Sequence, residues 1–446
     1  MNDDKVSRRD FLGTTAAGAT ANATVCAAAL AATAPARAAK ANQRLRIGFI
    51  GPGRRGFGAH VKSLAALRKL GANIDLAAVN DVYTVHRDRA VAYIKSETGV
   101  TPKIFHHYND LLQDDGIDAV CIATPDHWHA RQTIDALKAK KHVYCEKAMT
   151  HTVDESKQVI CAWRRSGRVM QVGVQSSSSP VWDMARELIN DGRLGKVVQF
   201  QTEYFRNGSL GMSRHNIITK EMTPKTIDWK QWLGVEEHLA PEMVFDRAVF
   251  GQWRCYWPFG YGMFTDLFVH RITGMLKATD LRYPGRIVGG GGIFMEYDDR
   301  QVTDVASLIA DFREGVQGIV SSTMVAEGFK LDHVIRGHHG SLLFHKPAFL
   351  SGPEASFEFV PERPQVKRNS KLKNEVFKAS ASHKFDISHF ANFLEAIEND
   401  TPEAVNNNPE LGAAAVMMVN LAVRSYREEK VFHVNRDGQV SDGNSS

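Results

Sequence analysis

Two short stretches hold side chains whose types and spacing suit proton transfer. In FGYGMFTDLFVHRITGML (residues 259–276), Asp266 and His270 stand four apart, the spacing that puts two residues on one face of a helix. An imidazole there can take up or release a proton near neutrality, and a carboxylate beside it can orient it. A buried Asp–His hydrogen bond that only stitches the helix would have the same spacing. In YCEKAMT (residues 144–150), Glu146 and Lys147 end an apolar run. A lysine in a crevice can donate a proton or polarise a carbonyl oxygen, whereas a solvated Glu–Lys pair is an ordinary surface feature. ATPDHWHA (residues 123–130) carries His127 and His129 two apart. With no Cys or carboxylate cluster around them they do not read as a metal site, and Asp126 reads as a helix-start residue.

These groups need elements to hold them. RIGFIGPGRRGFGAH (residues 46–60) runs from a short apolar strand into Gly51, Gly53 and Gly56, then opens a helix. That is the context in which a G-x-G-x-x-G turn binds a dinucleotide: Gly51 for the tight turn, Gly53 for access to the pyrophosphate, Gly56 for helix–strand packing. The next strand ends at Asp81, 25 residues past Gly56, where an acid accepts hydrogen bonds from the adenosine ribose and repels a 2′-phosphate. NAD is therefore expected. Arg54 and Arg55, placed to reach a phosphate, keep NADP as the alternative. Short apolar strands alternate with helices as far as VMQVGVQ (169–175), the pattern of a doubly wound parallel sheet covered on both faces. Loops at the carboxyl ends of those strands, including 123–130 and 144–150, then face the cofactor.

After Gln175 the pattern changes. Strand-like runs follow one another with few helices, which predicts an α+β domain built on an antiparallel sheet. A Trp- and Met-rich insert at 206–259 is expected to shape a pocket, 361–384 to be a basic exposed excursion, and 436–446 to be disordered. The domains are thus read as 39–174 and 175–435. Residues 1–38 read as a twin-arginine signal: Arg8-Arg9, Phe11-Leu12, a mildly apolar stretch and Ala36-Arg37-Ala38. The expected location is the periplasm or beyond. Lys and Arg number 55 against 50 Asp and Glu in 446 residues, a balance that argues against nucleic-acid binding. No later segment is apolar enough to span a membrane. Cys121, Cys145, Cys161 and Cys255 match no zinc spacing.

Taken together, the four motifs resemble the Gfo/Idh/MocA family of glucose-fructose oxidoreductase and inositol dehydrogenase relatives, over about residues 46–435. The resemblance implies an N-terminal Rossmann domain, a C-terminal domain on a large open, mostly antiparallel sheet, and a dimer or tetramer formed through that sheet. It implies NAD or NADP as cofactor and a sugar or sugar derivative as substrate. By position, Thr124, Pro125, Trp128 and His129 match the loop beside the nicotinamide, and Gln175 is added to the cofactor set with Glu146 and Lys147. Glu146-Lys147 matches the family's Glu-Lys-Pro motif, whose lysine is catalytic, with Ala148 standing in place of the proline. Asp266 and His270 match an Asp-x-x-x-His pair whose histidine is the general acid/base. The implied reaction is hydride transfer to or from a secondary alcohol. Two other readings stand beside it: glycoside cleavage by transient sugar oxidation with a resident NAD, and a non-catalytic sugar- or cofactor-binding protein.

Overall fold

The computed structural model describes residues 44–208, 213–214, 218–345, 354–380 and 385–442; the expected signal, 1–38, lies outside them. The N-terminal unit is built on six parallel strands: β1 (Leu45–Ile50), β2 (Ile74–Asn80), β3 (Lys103–Phe105), β4 (Ala119–Ile122), β5 (His142–Glu146) and β6 (Met170–Gly173). Their order is β3-β2-β1-β4-β5-β6, with every pairing parallel. This is the Rossmann arrangement, whose direction of winding reverses between β1 and β4. The strands have no polar face because helices cover both sides: Ala119, Val120, Cys121 and Ile122 are all buried. Those helices are α1 (Lys62–Lys69), α2 (Thr84–Thr98), α3 (Tyr108–Gln113), α4 (Asp126–Lys138) and α5 (Val153–Ser166). Local chemistry sets their ends. Thr152 and Glu155 form a capping box before α5, and Gly167 closes it in the left-handed conformation.

The chain continues through α6 (Val181–Asn190), β7 (Val197–Glu203), two short helices α7 (Trp229–Leu233) and α8 (Arg247–Gly251), and a π-helical turn, Phe264–Phe268, that runs into α9 (Val269–Thr279). Then come β8 (Arg286–Gly292), β9 (Val305–Phe312), β10 (Val316–Thr323), β11 (His333–Gly337), β12 (Gly340–Phe344), β13 (Glu354–Pro361), α10 (Arg363–Arg368), β14 (Glu375–Ser380), α11 (Phe385–Asn399), α12 (Pro409–Glu428), β15 (Phe432–Val434) and β16 (Val440–Asp442). Ten strands form one sheet in the order β14-β13-β12-β11-β7-β10-β9-β8-β15-β16. Its pairings are antiparallel except β7 with β10. One face is the core: Ala306, Leu308, Ala310 and Phe312 of β9 are buried, while Ile309 on the opposite face is 40% exposed. α12 lies so close to β8 that a Cβ on Gly289 would overlap the carbonyl oxygen of Ala422. Here the run of glycines in β8 has a packing role.

Three boundaries differ from the sequence reading. Residues 361–384 are not simply an excursion, because β14 within them pairs with β13 as the edge of the sheet. Within 436–446, expected to be disordered, β16 pairs with β15. The chain also crosses back between the units. α11, assigned by sequence to the second domain, packs Phe390 and Phe393 into the same core as Ile47, Phe49 and Tyr144, with Phe390 stacked on Tyr144 at 4.1 Å. Among the described residues no helix is long and apolar enough to cross a membrane.

Candidate active site

Where the sheet reverses, the loops after β1 and β4 part and open a cleft of about 970 Å³. Gly51 has φ +71°, and a Cβ there would sit 2.7 Å from Thr124 Cγ2, so only glycine makes this turn. Its N–H donates to Asn80 O at 2.9 Å. A Cβ on Gly56 would be 2.8 Å from Gly51 O, which brings the following helical turn directly onto the loop. Gly53 has His86 nearest its Cβ position, at 3.3 Å, and lines the cleft with Arg54. Arg89, which the sequence did not single out, donates from Nη2 to Gly53 O at 3.0 Å and braces the loop from below. Asp81 lines the cleft at the end of β2. One of its oxygens accepts from Tyr83 N at 2.9 Å, and the other is 3.7 Å from His86.

Two members of the expected cofactor set, Arg55 and Glu146, also bind each other inside the protein. Arg55 donates to Glu146 at 2.7 Å and to Asp386 of α11 at 2.8 Å. Glu146 also takes His60 Nε2 at 2.9 Å and its own neighbour's Lys147 N–H at 3.2 Å. Both line the cleft, and the Glu146 carboxylate is paired inside the protein, as a buried carboxylate must be. Burial would raise Glu146, but Arg55 and His60 outweigh it and hold the carboxyl well below its ordinary range. Their role is to lock the glycine loop, β5 and α11 together. Sequence gave no sign of Asp386 or His60 as partners, because the contacts span up to 331 residues.

Thr124, Pro125 and Trp128 line the cleft from the loop after β4 and the start of α4. The Trp128 indole donates to Trp232 O at 2.8 Å, which attaches the insert to the cofactor half. His129 is buried. Its Nδ1 lies 2.6 Å from Ala148 O and its Nε2 2.8 Å from Thr124 O, so it holds the two cofactor-facing loops together. His127 points to Trp232 O at 3.1 Å, and no metal-holding cluster occurs among the described residues. Gln175 lines the cleft, and its Oε1 is buried with no hydrogen-bond partner among the described residues. Such an orphaned acceptor suits a donor from a bound group, and with the glycine cradle and Asp81 it fits a nicotinamide dinucleotide.

At the inner end stand Lys147, Asp266 and His270. The Lys147–Ala148 peptide bond is cis. Lys147 Nζ donates to Asp266 O at 2.9 Å and forms a short ion pair with Asp266 Oδ1. Arg254 Nε donates to the same oxygen at 3.1 Å. Burial would raise Asp266, but Lys147 and Arg254 outweigh it and hold the carboxyl below the usual range. Asp266 and His270 make no hydrogen bond to each other, so the pair is not a stitch within the helix. Asp266 lies in the π-helical turn, where the regular i, i+4 alignment is lost, and two cations draw its carboxylate away. No described residue hydrogen-bonds the His270 ring. Burial and then Lys147 lower His270 to about 3, so the ring is neutral across physiological pH.

Burial acts on other histidines in the same direction, bringing His127 to about 3 and His389 to about 4. The unfolded chain protonates each below about pH 6.5, while the folded chain does not, so each costs roughly 2 kcal/mol of stability at pH 5 relative to pH 7. A lower melting temperature at pH 5 than at pH 7 is expected by calorimetry, and an equal or higher one contradicts this account.

With this geometry in place, residues 45–174 match the GFO_IDH_MocA family, described as "Oxidoreductase family, NAD-binding Rossmann fold". Among curated relatives, an alpha-N-acetylgalactosaminidase of Shewanella oneidensis is 30% identical over 194 residues, 42% of this chain and 39% of the relative. A glycosyl hydrolase family 109 protein of Shewanella sp. (strain W3-18-1) is 29% identical over the same span and shares. The matched part is thus well under half the length of these relatives. Two solved structures share the fold at low identity. The aldose-aldose oxidoreductase of Caulobacter crescentus has TM-score 0.65 and 17% identity over 88% of this chain and 100% of that one. A levoglucosan dehydrogenase in complex with NADH and levoglucosan has TM-score 0.62 and 19% identity over 90% of this chain and 100% of that one. Residues 45–174 are thus similar to the NAD-binding Rossmann domain of the Gfo/Idh/MocA oxidoreductase family.

Proposed function

We propose that the protein transfers hydride between a nicotinamide and a secondary alcohol or ketone of a sugar or sugar derivative. The observation that carries this is the convergence of Lys147, Asp266 and a neutral His270 in the cleft that the glycine loop opens into. When bound, NAD supplies the hydride acceptor. His270, held neutral, accepts the proton of the hydroxyl as the carbon is oxidised. Lys147 Nζ stabilises the developing alkoxide, and Asp266 fixes that ammonium from its carboxylate and its carbonyl. In the reverse direction the same proton returns from His270.

A second reading uses the same site for net glycoside cleavage, by transient oxidation, elimination and re-reduction. The curated relatives, named as glycosyl hydrolase family 109 proteins, favour it. Incubating the protein with aryl glycosides and no added NAD separates the two. Sustained aglycone release sinks the simple dehydrogenase reading. Sugar-dependent nicotinamide reduction without aglycone release supports it. A non-catalytic binder would show neither.

Export by the twin-arginine route, which carries folded proteins, belongs to this reading and requires a cofactor that stays bound outside the cytosol. We assign retention in part to the Arg55–Asp386 pair, which ties α11 across the glycine loop. NAD is expected to be released, and identified by mass, when the purified protein is denatured. Asp386→Asn is expected to shed it up to about fivefold faster, the weight of one half-exposed ion pair. An unchanged loss rate on gel filtration removes that pair from the account. Association of copies through the open face of the ten-stranded sheet completes the proposal, and a monomeric mass by light scattering would remove it.

A further inference from the structure

The inner half of the cleft holds cations that the proton-transfer set does not use. Arg254 lies on the turn Trp253–Cys255, with its guanidinium stacked 4.1 Å from the Trp253 ring centroid. Its Nε is committed to Asp266, while its two terminal nitrogens donate to no described residue. Stacking and the Nε bond fix the plane of the fork and leave its outer edge unspent in the cleft wall. Arg206 also lines the cleft. It rests on Tyr204 at 4.8 Å and donates Nη2 to that phenol at 2.6 Å; its other guanidinium nitrogens donate to no described residue.

The charges around this half do not balance. Lys147, Arg206 and Arg254 line it against Asp266, while the other carboxylate beside Lys147, Glu146, is already paired with Arg55 and His60. Asp126 and Glu203 are nearby acids, but they are only 3% and 2% exposed and lie behind the wall. A neutral sugar offers nothing to an unspent guanidinium edge except hydroxyls, whereas an oxyanion matches its fork geometry and charge.

We propose that the substrate is an anionic sugar, its carboxylate or phosphate taken by the outer edge of Arg254 with Arg206 as the second cation. This rests on the sugar oxidoreductase reading above and narrows its substrate class.

Binding is measured by calorimetry at low salt on the full chain with NAD present. D-glucuronate and D-glucose 6-phosphate are compared with D-glucose, and D-galacturonate with D-galactose. At least one anionic sugar is expected to bind about tenfold or more tighter than its neutral partner, and which one does so distinguishes carboxylate from phosphate. Arg254→Gln is expected to bring that ratio to within about twofold of unity, and Arg254→Lys to leave an intermediate ratio because charge survives without the fork. Circular dichroism and NAD content report whether each variant is folded. The inference is overturned if no anionic sugar binds tighter than its partner, or if Arg254→Gln weakens both members of a pair alike. A tight anionic sugar that never changes nicotinamide absorbance would instead defeat the oxidoreductase reading and leave the anion site standing.

Discussion

Replacing His270 by alanine is expected to lower turnover by about 10²- to 10⁴-fold, the range for removing a positioned general base, with NAD still bound. The two effects separate because no described residue of the glycine loop hydrogen-bonds His270, and that loop is held by Asn80 and Arg89. The pH profile gives an independent check. Burial and Lys147 hold the imidazole neutral down to about pH 3, so kcat/KM should stay flat from pH 7 to pH 5 and fall only where the ring protonates. An ordinary histidine would already lose activity below about pH 6.5. A variant that keeps near-normal turnover removes His270 from the mechanism. An acid limb near pH 6.5 in the unmodified protein removes the claim that burial keeps the ring neutral.

Much of this site was legible in the sequence, for reasons that differ by residue. Gly51 could be read because its φ and the nearness of Thr124 exclude any side chain, and such a constraint leaves a mark at a single position. The parallel order of β1 to β6 could be read because strands buried on both faces lose polar alternation. Arg55 and Glu146 were placed correctly in the cleft, but their partners were not foreseeable. His60 sits a turn past the loop and Asp386 comes from a helix 331 residues on, and nothing in local sequence encodes an ion pair of that range. Asp266 and His270 both line the cleft but make no hydrogen bond to each other for a local reason: the spacing suits an α-helix, and the turn is π-helical at Asp266. Arg254 lay within the insert expected to shape the pocket, next to Trp253, but only its place beside Asp266 gives it meaning.

Removing Lys147 is the second large effect, and its interpretation turns on what Asp266 does next. Lys147→Ala is expected to lower kcat and kcat/KM together by about 10²- to 10³-fold, as for loss of one preorganised donor to a developing oxyanion. Stability should suffer less than the loss of a buried ion-pair partner usually implies, about 3–5 kcal/mol. Arg254 remains on the same Asp266 oxygen, so the carboxylate keeps a cation. Adding Asp266→Asn to Lys147→Ala then tests the division of labour. If Asp266 serves mainly to hold the ammonium, the double variant is no slower than Lys147→Ala alone, and the losses are strongly non-additive. If the double variant is slower by the full product of the single losses, Asp266 acts on the reacting groups by its own route, and its place as a positioning residue is wrong.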